Sequence, residues 1–217
     1  MNTKVESALQ QLNTVLPLKE RQENCSPAVQ ALHQAVLRSF VENGRSLTRA
    51  EMAQQVSDVD AAVTILQNND MVVFGEDGEP IGAYPFTIEA REHQIQVNGY
   101  QVHAMCALDA LAVSPMFGMD TEINSQCRVT SDPIYIQQAG KTIKNMNETS
   151  NVHFGIVWGA ADGSACCADS LCMEMIFLRD GAIAEQWLAD DPENREIFTL
   201  PQSVEFAAQF FVPLVGH

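Results

Sequence analysis

Long hydrophobic runs are missing from this 217-residue chain, although 46% of its residues are hydrophobic. A membrane-spanning helix needs roughly 18 consecutive apolar residues, and no segment of the sequence approaches that length. The N-terminal region contains acidic and amide side chains throughout and lacks the apolar core of a signal peptide. The composition therefore predicts a soluble, cytoplasmic protein without a membrane partner, long enough for one large or two small domains.

Positive charge is scarce, since 12 lysines and arginines face 28 aspartates and glutamates for a formal net charge of −16. A surface of this sign repels nucleic acids and anionic membranes. The sequence also lacks the Gly-x-Ser-x-Gly motif of a serine hydrolase and any glycine-rich phosphate loop. These absences argue against a nucleic-acid partner and against a serine hydrolase.

Six cysteines are present, but their spacing does not match a structural metal site. There is no repeated Cys-x-x-Cys and no cysteine–histidine spacing of a zinc finger. In a cytosolic chain of this size, six cysteines indicate free thiols rather than a disulfide framework. We expect Cys25 to be incidental and Cys127, which alternates with apolar neighbours, to be a core residue.

Helical patterns followed by a hairpin pattern characterise residues 1–86. Apolar spacing and capping residues mark helices over 5–16, from 26 onward, from the capping box at 48–51, and from 57–58 onward. Residues 71–74 and 81–86 flank a Glu-Asp-Gly turn and predict a hairpin. This order predicts a winged-helix-like N-terminal module.

A winged helix is typical of DNA-binding proteins, but the charge of this module argues against that function. Residues 1–85 contain six basic and eleven acidic side chains. The segment in the position of a recognition helix, from Asp58 to Asp70, has no lysine or arginine. Because DNA binding requires cations that neutralise phosphates, we interpret the module as a structural lid.

Strand patterns dominate residues 87–217 and predict a second, α/β domain that carries the reactive thiols. Strands are expected at 93–97, 100–103, 121–129, 134–137, 152–158 and 173–178. Helices are expected at 104–113, ending before Pro115, and at 182–189. The predicted fold class is α+β, with the helical module followed by a mixed or antiparallel sheet core and flanking helices.

Cys106 and Asp109 form the most informative pair in the sequence. A thiol and a carboxyl three residues apart share one face of a helix. Asp109 lies in an otherwise apolar segment, where burial of a carboxyl without a partner is costly. The pair indicates a site that joins a soft-metal ligand to a proton carrier, the alternative being an ordinary buried cysteine.

Three downstream cysteines offer a second thiol for that site. Cys166 and Cys167 are adjacent in a loop of small residues, and in an extended chain only one of two neighbours points to a given side. Cys172 precedes a predicted strand, and a fixed element holds catalytic geometry better than a loop. The residues favour Cys172 and leave Cys166 and Cys167 as accessory thiols.

One stretch of the chain, residues 100–130, combines Cys-Ala-Leu-Asp at 106–109 with Ser-Gln-Cys at 125–127. This stretch resembles the alkylmercury (organomercurial) lyases. The hairpin at 76–82 is similar to the N-terminal wing of that family, and residues 170–187 are similar to its second-cysteine region. The similarity extends over most of residues 30–212.

The resemblance implies protonolysis of a carbon–mercury bond by two cysteines and an aspartate. Cys106 and Asp109 match two of these positions directly. The vicinal pair at 166–167 would match the paired cysteines of many members, but the spacing to Trp187 favours Cys172 as the second thiol. The resemblance further implies that the Hg²⁺ product stays on Cys106 and Cys172, with Asp109 as a weak ligand.

The same resemblance implies an organomercurial substrate, no organic cofactor, and a small thiol or mercuric reductase as the acceptor of Hg²⁺. The alternative is a non-enzymatic protein that binds Hg²⁺ or Cu(I) on the same scaffold. Cys166, Cys167 and Cys172, with the nearby Met173 and Met175, are soft ligands suited to such binding. Release of a hydrocarbon distinguishes the lyase from the binder.

Overall fold

The computed structural model describes residues 3–161 and 166–216. Its α-helices are α1 (Thr3–Val15), α2 (Leu18–Glu23), α3 (Pro27–Asn43), α4 (Arg49–Met52), α5 (Val59–Asn68), α6 (Ala107–Phe117), α7 (Met146–Thr149), α8 (Gly181–Asp190) and α9 (Leu200–Phe211). Its strands are β1 (Val73–Phe74), β2 (Pro80–Ala83), β3 (Phe86–Thr87), β4 (His93–Val97), β5 (Tyr100–Ala104), β6 (Asp120–Gln126), β7 (Pro133–Ala139), β8 (Thr142–Ile143), β9 (His153–Val157), β10 (Met175–Leu178) and β11 (Arg195–Thr199). No helix in the described ranges is both long and apolar enough to cross a membrane.

The described strands form two antiparallel sheets. The larger sheet has the order β1-β2-β3-β5-β4-β6-β7-β8, and the smaller has the order β10-β9-β11. Strand β3 connects the N-terminal hairpin to the main sheet, because Phe86 pairs with Ala104 of β5. Helices and antiparallel sheets in this arrangement confirm the predicted α+β class.

The N-terminal module contains the expected helices and hairpin. Thr48 and Glu51 form the predicted capping box of α4, and Asp58 caps α5 by accepting the N–H of Ala61. Helices α3, α4 and α5 are followed by the β1–β2 hairpin, as in a winged helix. The short helix α2 was not predicted, since six residues are too few to display a helical period.

Helix α6 lies at the centre of the molecule. All its residues from Ala107 to Ser114 are buried, and a helix that is buried on every side shows no single apolar stripe. It packs against α9 and against strands of both sheets. Helix α1 packs on the outside of α9, and the ammonium group of Lys4 donates a hydrogen bond to the carbonyl of Ile197. Helix α9 therefore contacts both α6 and the N-terminal helix α1.

The prediction of α6 over residues 104–113 was wrong at both ends. The helix begins at Ala107, because β5 extends to Ala104, and it continues through Pro115. A proline inside a helix leaves the carbonyl four residues earlier without its N–H donor. Here the side-chain amide of Gln138 donates to that carbonyl, on Leu111, at 2.9 Å. The substitute donor allows the helix to pass the proline.

Several predicted strands end earlier or begin later than expected. Strand β6 stops at Gln126, because the N–H of Cys127 bonds the carbonyl of Asp132 at 2.8 Å and closes a turn. Cys127 is buried as predicted, but Val129 is 52% exposed and does not share its face. Strand β10 begins at Met175 rather than 173, because Leu171–Glu174 forms a 3₁₀ turn.

Candidate active site

Cys106 lies at the junction of β5 and α6, where it is the N-cap of the helix. Its backbone is extended, with φ −150° and ψ 178°, and its Sγ accepts the N–H of Asp109 at 3.4 Å. We expected the thiol inside the helix, and this was wrong because the helix begins one residue later. Burial raises the pKa of the Cys106 thiol, and the bond from the Asp109 N–H has a smaller and opposite effect.

Asp109 lies in the first turn of α6 and is fully buried. Neither oxygen of its carboxyl group has a hydrogen-bond partner of ordinary geometry among the described residues. Burial raises the pKa of Asp109 to about 7, although the nearby Cys106 thiol and the charge of Arg91 partly favour the ionised form. A carboxyl with this pKa holds and releases a proton near neutral pH, as a general acid or base must.

Cys172 reaches the same place from the opposite side of the site. It belongs to the 3₁₀ turn Leu171–Glu174, which leads directly into β10. The Sγ atoms of Cys106 and Cys172 and a carboxylate oxygen of Asp109 all lie within 4.8 Å of one another. The structure thus brings together the three side chains that the sequence analysis singled out.

Both thiols of this cluster hold their protons strongly. Burial raises the pKa of Cys106 to about 12. The pKa of Cys172 is also raised well above its ordinary value, first by hydrogen bonding with Cys106 and Cys167 and then by burial. At neutral pH both are therefore thiols, and a metal that binds them must displace their protons.

The vicinal cysteines separate, as their adjacency predicted. Cys166 turns away from the cluster, and its Sγ donates to the Asp70 carboxylate at 2.8 Å. Cys167 turns inward and lies in a 3₁₀ turn, with its Sγ 3.7 Å from the Sγ of Cys172. Cys25 and Cys127 line neither of the spaces described next.

Cys106, Asp109 and Cys172 line a narrow cavity of about 10 Å³, the space of roughly one water molecule. Its walls include Leu12 of α1, Leu16 just after that helix, and Phe210 and Phe211 of α9. The N-terminal module therefore covers the thiols, which supports its interpretation as a lid. A low-dielectric enclosure of this kind strengthens every electrostatic interaction inside it.

An open groove lies on the other side of Cys172. It is lined by Arg91, Met105, Arg128 and Met173, and Cys172 lines both the groove and the inner cavity. Cys172 therefore lies between the groove and the buried Cys106 and Asp109.

Three residues near the cluster were not identified from the sequence. The Sδ of Met175 lies 3.5 Å from the Sγ of Cys106, although Met175 had been considered only as a ligand of a binding protein. Tyr84 and Asp70 hold the segment that carries Cys167: the Tyr84 hydroxyl accepts the N–H of Ala168 at 2.8 Å. Both lie in the N-terminal module and show no signal that links them to a site 80 or more residues away.

Sequence comparisons identify the family. A family model described as alkylmercury lyase matches residues 86–212. An alkylmercury lyase of Bacillus cereus is 28% identical over 160 residues, which are 73% of this chain and 72% of that protein. An alkylmercury lyase of Staphylococcus epidermidis is 27% identical over 142 residues, covering 65% of this chain and 64% of that protein.

A structural comparison agrees on the fold. The crystal structure of the mercury-bound form of MerB2 superimposes with a TM-score of 0.74, covering 92% of this chain and 98% of that chain at 21% identity. Fold and site define an α+β protein with a buried sulfur–carboxylate cluster at the N-terminus of its central helix. The chain belongs to the alkylmercury lyase family, as the motif at residues 106–109 predicted.

Proposed function

We propose that this protein cleaves the carbon–mercury bond of organomercurials and releases a hydrocarbon and Hg²⁺. Its membership of the alkylmercury lyase family supports a lyase of this kind. The observation that carries the proposal is the buried cluster of two thiols and one carboxyl, with donor atoms within 4.8 Å. Few reactions need two soft ligands and a proton carrier in contact.

The first step captures the substrate R–Hg⁺ on sulfur. One thiol, of Cys172 or Cys106, bonds the mercury and loses its proton to solvent. The second thiol then bonds the same mercury and gives its proton to the carboxylate of Asp109. Because thiolates coordinate mercury as deprotonated ligands, the substrate itself provides the drive to ionise thiols whose pKa is high.

The second step breaks the carbon–mercury bond. Two thiolates push electron density through mercury onto the carbon, and Asp109 delivers its proton there. The electron pair of the carbon–mercury bond becomes the new carbon–hydrogen bond, and R–H leaves. Hg²⁺ stays on Cys106 and Cys172, Asp109 is again a carboxylate, and one proton has been released overall.

The product must then leave with a soft ligand. We expect a small thiol or mercuric reductase to collect Hg²⁺ through the groove that exposes Cys172. The proposed chemistry requires reduced cysteines, and all six cysteines are free thiols. Free thiols persist in a reducing compartment such as the cytosol. The proposed steps use no organic cofactor.

The proposal is tested by incubating the protein with phenylmercury and excess thiol and measuring benzene by gas chromatography. Cys106→Ser, Cys172→Ser and Asp109→Asn should each lower benzene release by at least about 100-fold, the range expected for loss of a nucleophile or proton carrier. Cys25→Ser is the matched control, since that thiol is remote from the cluster and donates to the Arg21 carbonyl. It should release benzene at the unaltered rate.

Other results would revise the assignment. If Cys172→Ser kept full turnover while Cys166→Ser lost it, the second thiol would have been assigned wrongly. If the protein bound Hg²⁺ tightly but released no benzene, it would be the soft-metal binder. The sulfur atoms of Cys167 and Met175 near the pair favour that alternative. A binder has no need of the proton carried by Asp109.

A further inference from the structure

The inner cavity contains one more thiol than the proposed reaction uses. Cys167 is buried, and its Sγ lies 3.7 Å from the Sγ of Cys172. It lines the same cavity as Cys106 and Asp109. A disulfide would bring the two sulfurs to about 2.05 Å, so this pair consists of two thiols in contact. A third thiol therefore contacts the Cys172 member of the cluster and shares its cavity with the other two members.

The segment that carries Cys167 is fixed from two sides of the molecule. The N–H of Cys167 donates to the Asp70 carboxylate at 3.1 Å, and the N–H of Ala168 donates to the Tyr84 hydroxyl at 2.8 Å. From the other side, the Arg91 guanidinium donates to the Ala168 carbonyl at 2.8 Å. Side chains held this way need little reordering to bind a ligand, and such preorganisation favours binding.

The separation of the two sulfurs distinguishes between coordination geometries. At the zinc–sulfur distance of about 2.3 Å, two thiolates on one metal lie roughly 4.6 Å apart in a linear complex and roughly 3.8–4.0 Å apart in a tetrahedral or trigonal one. The larger mercury ion widens both separations and leaves their order unchanged. The observed 3.7 Å between Cys167 and Cys172 is nearer to the bent arrangement than to the linear one. A bent pair suits a metal with at least three ligands.

We infer that Cys167 is a third sulfur ligand of the Hg²⁺ product, together with Cys106 and Cys172. The inference rests on the proposed function for the source of the Hg²⁺. After the hydrocarbon leaves, the Cys167 sulfur bonds Hg²⁺ and its proton passes to the Asp109 carboxylate in the same cavity. One sulfur–mercury bond forms, no bond to Cys106 or Cys172 breaks, and the total charge of the cluster is unchanged.

This third bond gives the product a different environment from the substrate. An alkylmercury species keeps one position for carbon, so it needs only the two thiols of the reaction. Bare Hg²⁺ has that position free, and Cys167 fills it next to Cys172, the thiol that also faces the groove. Cys167 therefore retains the ion until an acceptor thiol arrives.

The experiment adds one equivalent of HgCl₂ to the reduced full-length protein and measures mercury–sulfur coordination by X-ray absorption. The wild type should show three sulfur ligands, and Cys167→Ser should show two. Cys166→Ser is the matched control, because the neighbouring thiol faces Asp70 instead of the cluster, and it should keep three. Cys167→Ser should also lose its mercury to a lower concentration of competing glutathione than Cys166→Ser does.

Two sulfur ligands in the wild type, or three in Cys167→Ser with unaltered circular dichroism, would overturn the inference. Cys167→Ala serves as the second variant if serine itself coordinates or the protein misfolds. Because HgCl₂ is added directly, the result does not depend on catalysis. Benzene release by the same wild-type preparation tests the proposed function separately, so either idea can fail without the other.

Discussion

The Asp109 side chain is 1% exposed, and its carboxyl has no partner of ordinary hydrogen-bond geometry in the described parts of the chain. Burial disfavours the charged form and raises the pKa of Asp109 to about 7. In the unfolded chain an aspartate has a pKa of about 3.9. The folded state therefore binds one proton more than the unfolded state at pH values between these two numbers.

This difference predicts that Asp109 destabilises the fold as pH rises. Below about pH 4 the carboxyl is protonated in both states, so it adds no pH dependence to the free energy of unfolding. From about pH 4 to 7 the free energy of unfolding should fall by up to about 1.4 kcal/mol per pH unit through this group. Asp109→Asn removes the titration, so its stability relative to wild type should rise over that window and level off above pH 7.

Urea unfolding of both proteins from pH 4 to 8 measures the effect. All other carboxyls are common to both proteins, so the difference isolates Asp109. Glu51→Gln is a control whose stability difference from wild type should be flat above pH 5, because Arg45 lowers the pKa of Glu51 to about 2 and its contribution is complete there. A stability difference for Asp109→Asn that stayed flat between pH 4 and 7 would show that its pKa is ordinary.

Among the elements, α6 depends on a side chain from another strand. Gln138 of β7 is 1% exposed, and its amide donates to the Leu111 carbonyl that Pro115 leaves without a donor. Gln138→Leu should therefore lower the free energy of unfolding by about 1–3 kcal/mol, the cost of an unsatisfied buried carbonyl. Urea unfolding of the purified variants measures it.

A double-mutant cycle tests the cause of that loss. Pro115→Ala restores an N–H four residues after Leu111, so Gln138→Leu should cost less in that background than in wild type. The Gln138 amide also donates to Gly140, and this bond is lost in both backgrounds and cancels. Strictly additive free energies would mean that Gln138 acts through its packing or its bond to Gly140 and not through the Leu111 carbonyl.

The same element shows what sequence reasoning reached and what it missed. The capping box at Thr48 and the cap at Asp58 depend on neighbours within three residues, and both were predicted. The passage of α6 through Pro115 was not, because its donor lies 27 residues from Leu111. Hydrogen bonds between near neighbours can be predicted from the sequence, whereas a donor on a distant strand is identified only from the structure.

The candidate site also combines features that local sequence predicts with features that depend on distant residues. Cys106 and Asp109 are three residues apart, so their proximity was predictable, and the family resemblance supplied Cys172. The inward orientation of Cys167 was not predictable, since Asp70, which lies 97 residues earlier, accepts its backbone N–H. The three-residue spacing predicted that Cys106 and Asp109 lie together, whereas the position of Cys167 depends on contacts between distant parts of the chain.

At the scale of the whole molecule, charge argues against DNA binding, the usual role of a winged helix, for the N-terminal module. Helix α5 carries no lysine or arginine, and the nearby Arg49 of α4 forms an ion pair with Asp60. The chain has a net charge of −16. The absence of a nucleic-acid partner stays a prediction, now supported by the pairing of that arginine.

The division into residues 1–86 and 87–217 also stays a prediction, and the structure joins the two parts closely. The boundary falls inside β3, which pairs with β2 on one side and β5 on the other. Helix α1 lies on α9 and supplies part of the cavity wall. We therefore expect the two parts to unfold together, although each has the length of a small domain.

Two native probes test this expectation without any added label. The chain has two tryptophans, Trp158 and Trp187, both in the second part, so fluorescence reports on that part alone. Cys25 is the single cysteine of residues 1–86 and is half-buried, so its alkylation reports on the first part.

In a urea series, a short iodoacetamide pulse read by mass spectrometry should label Cys25 at the same midpoint as the fluorescence change. Cys127, buried in the second part, is alkylated in the same pulse only after that part unfolds, so it gives the extent of labelling expected of an unfolded thiol. Labelling of Cys25 well below that midpoint would show that the lid unfolds as a separate domain.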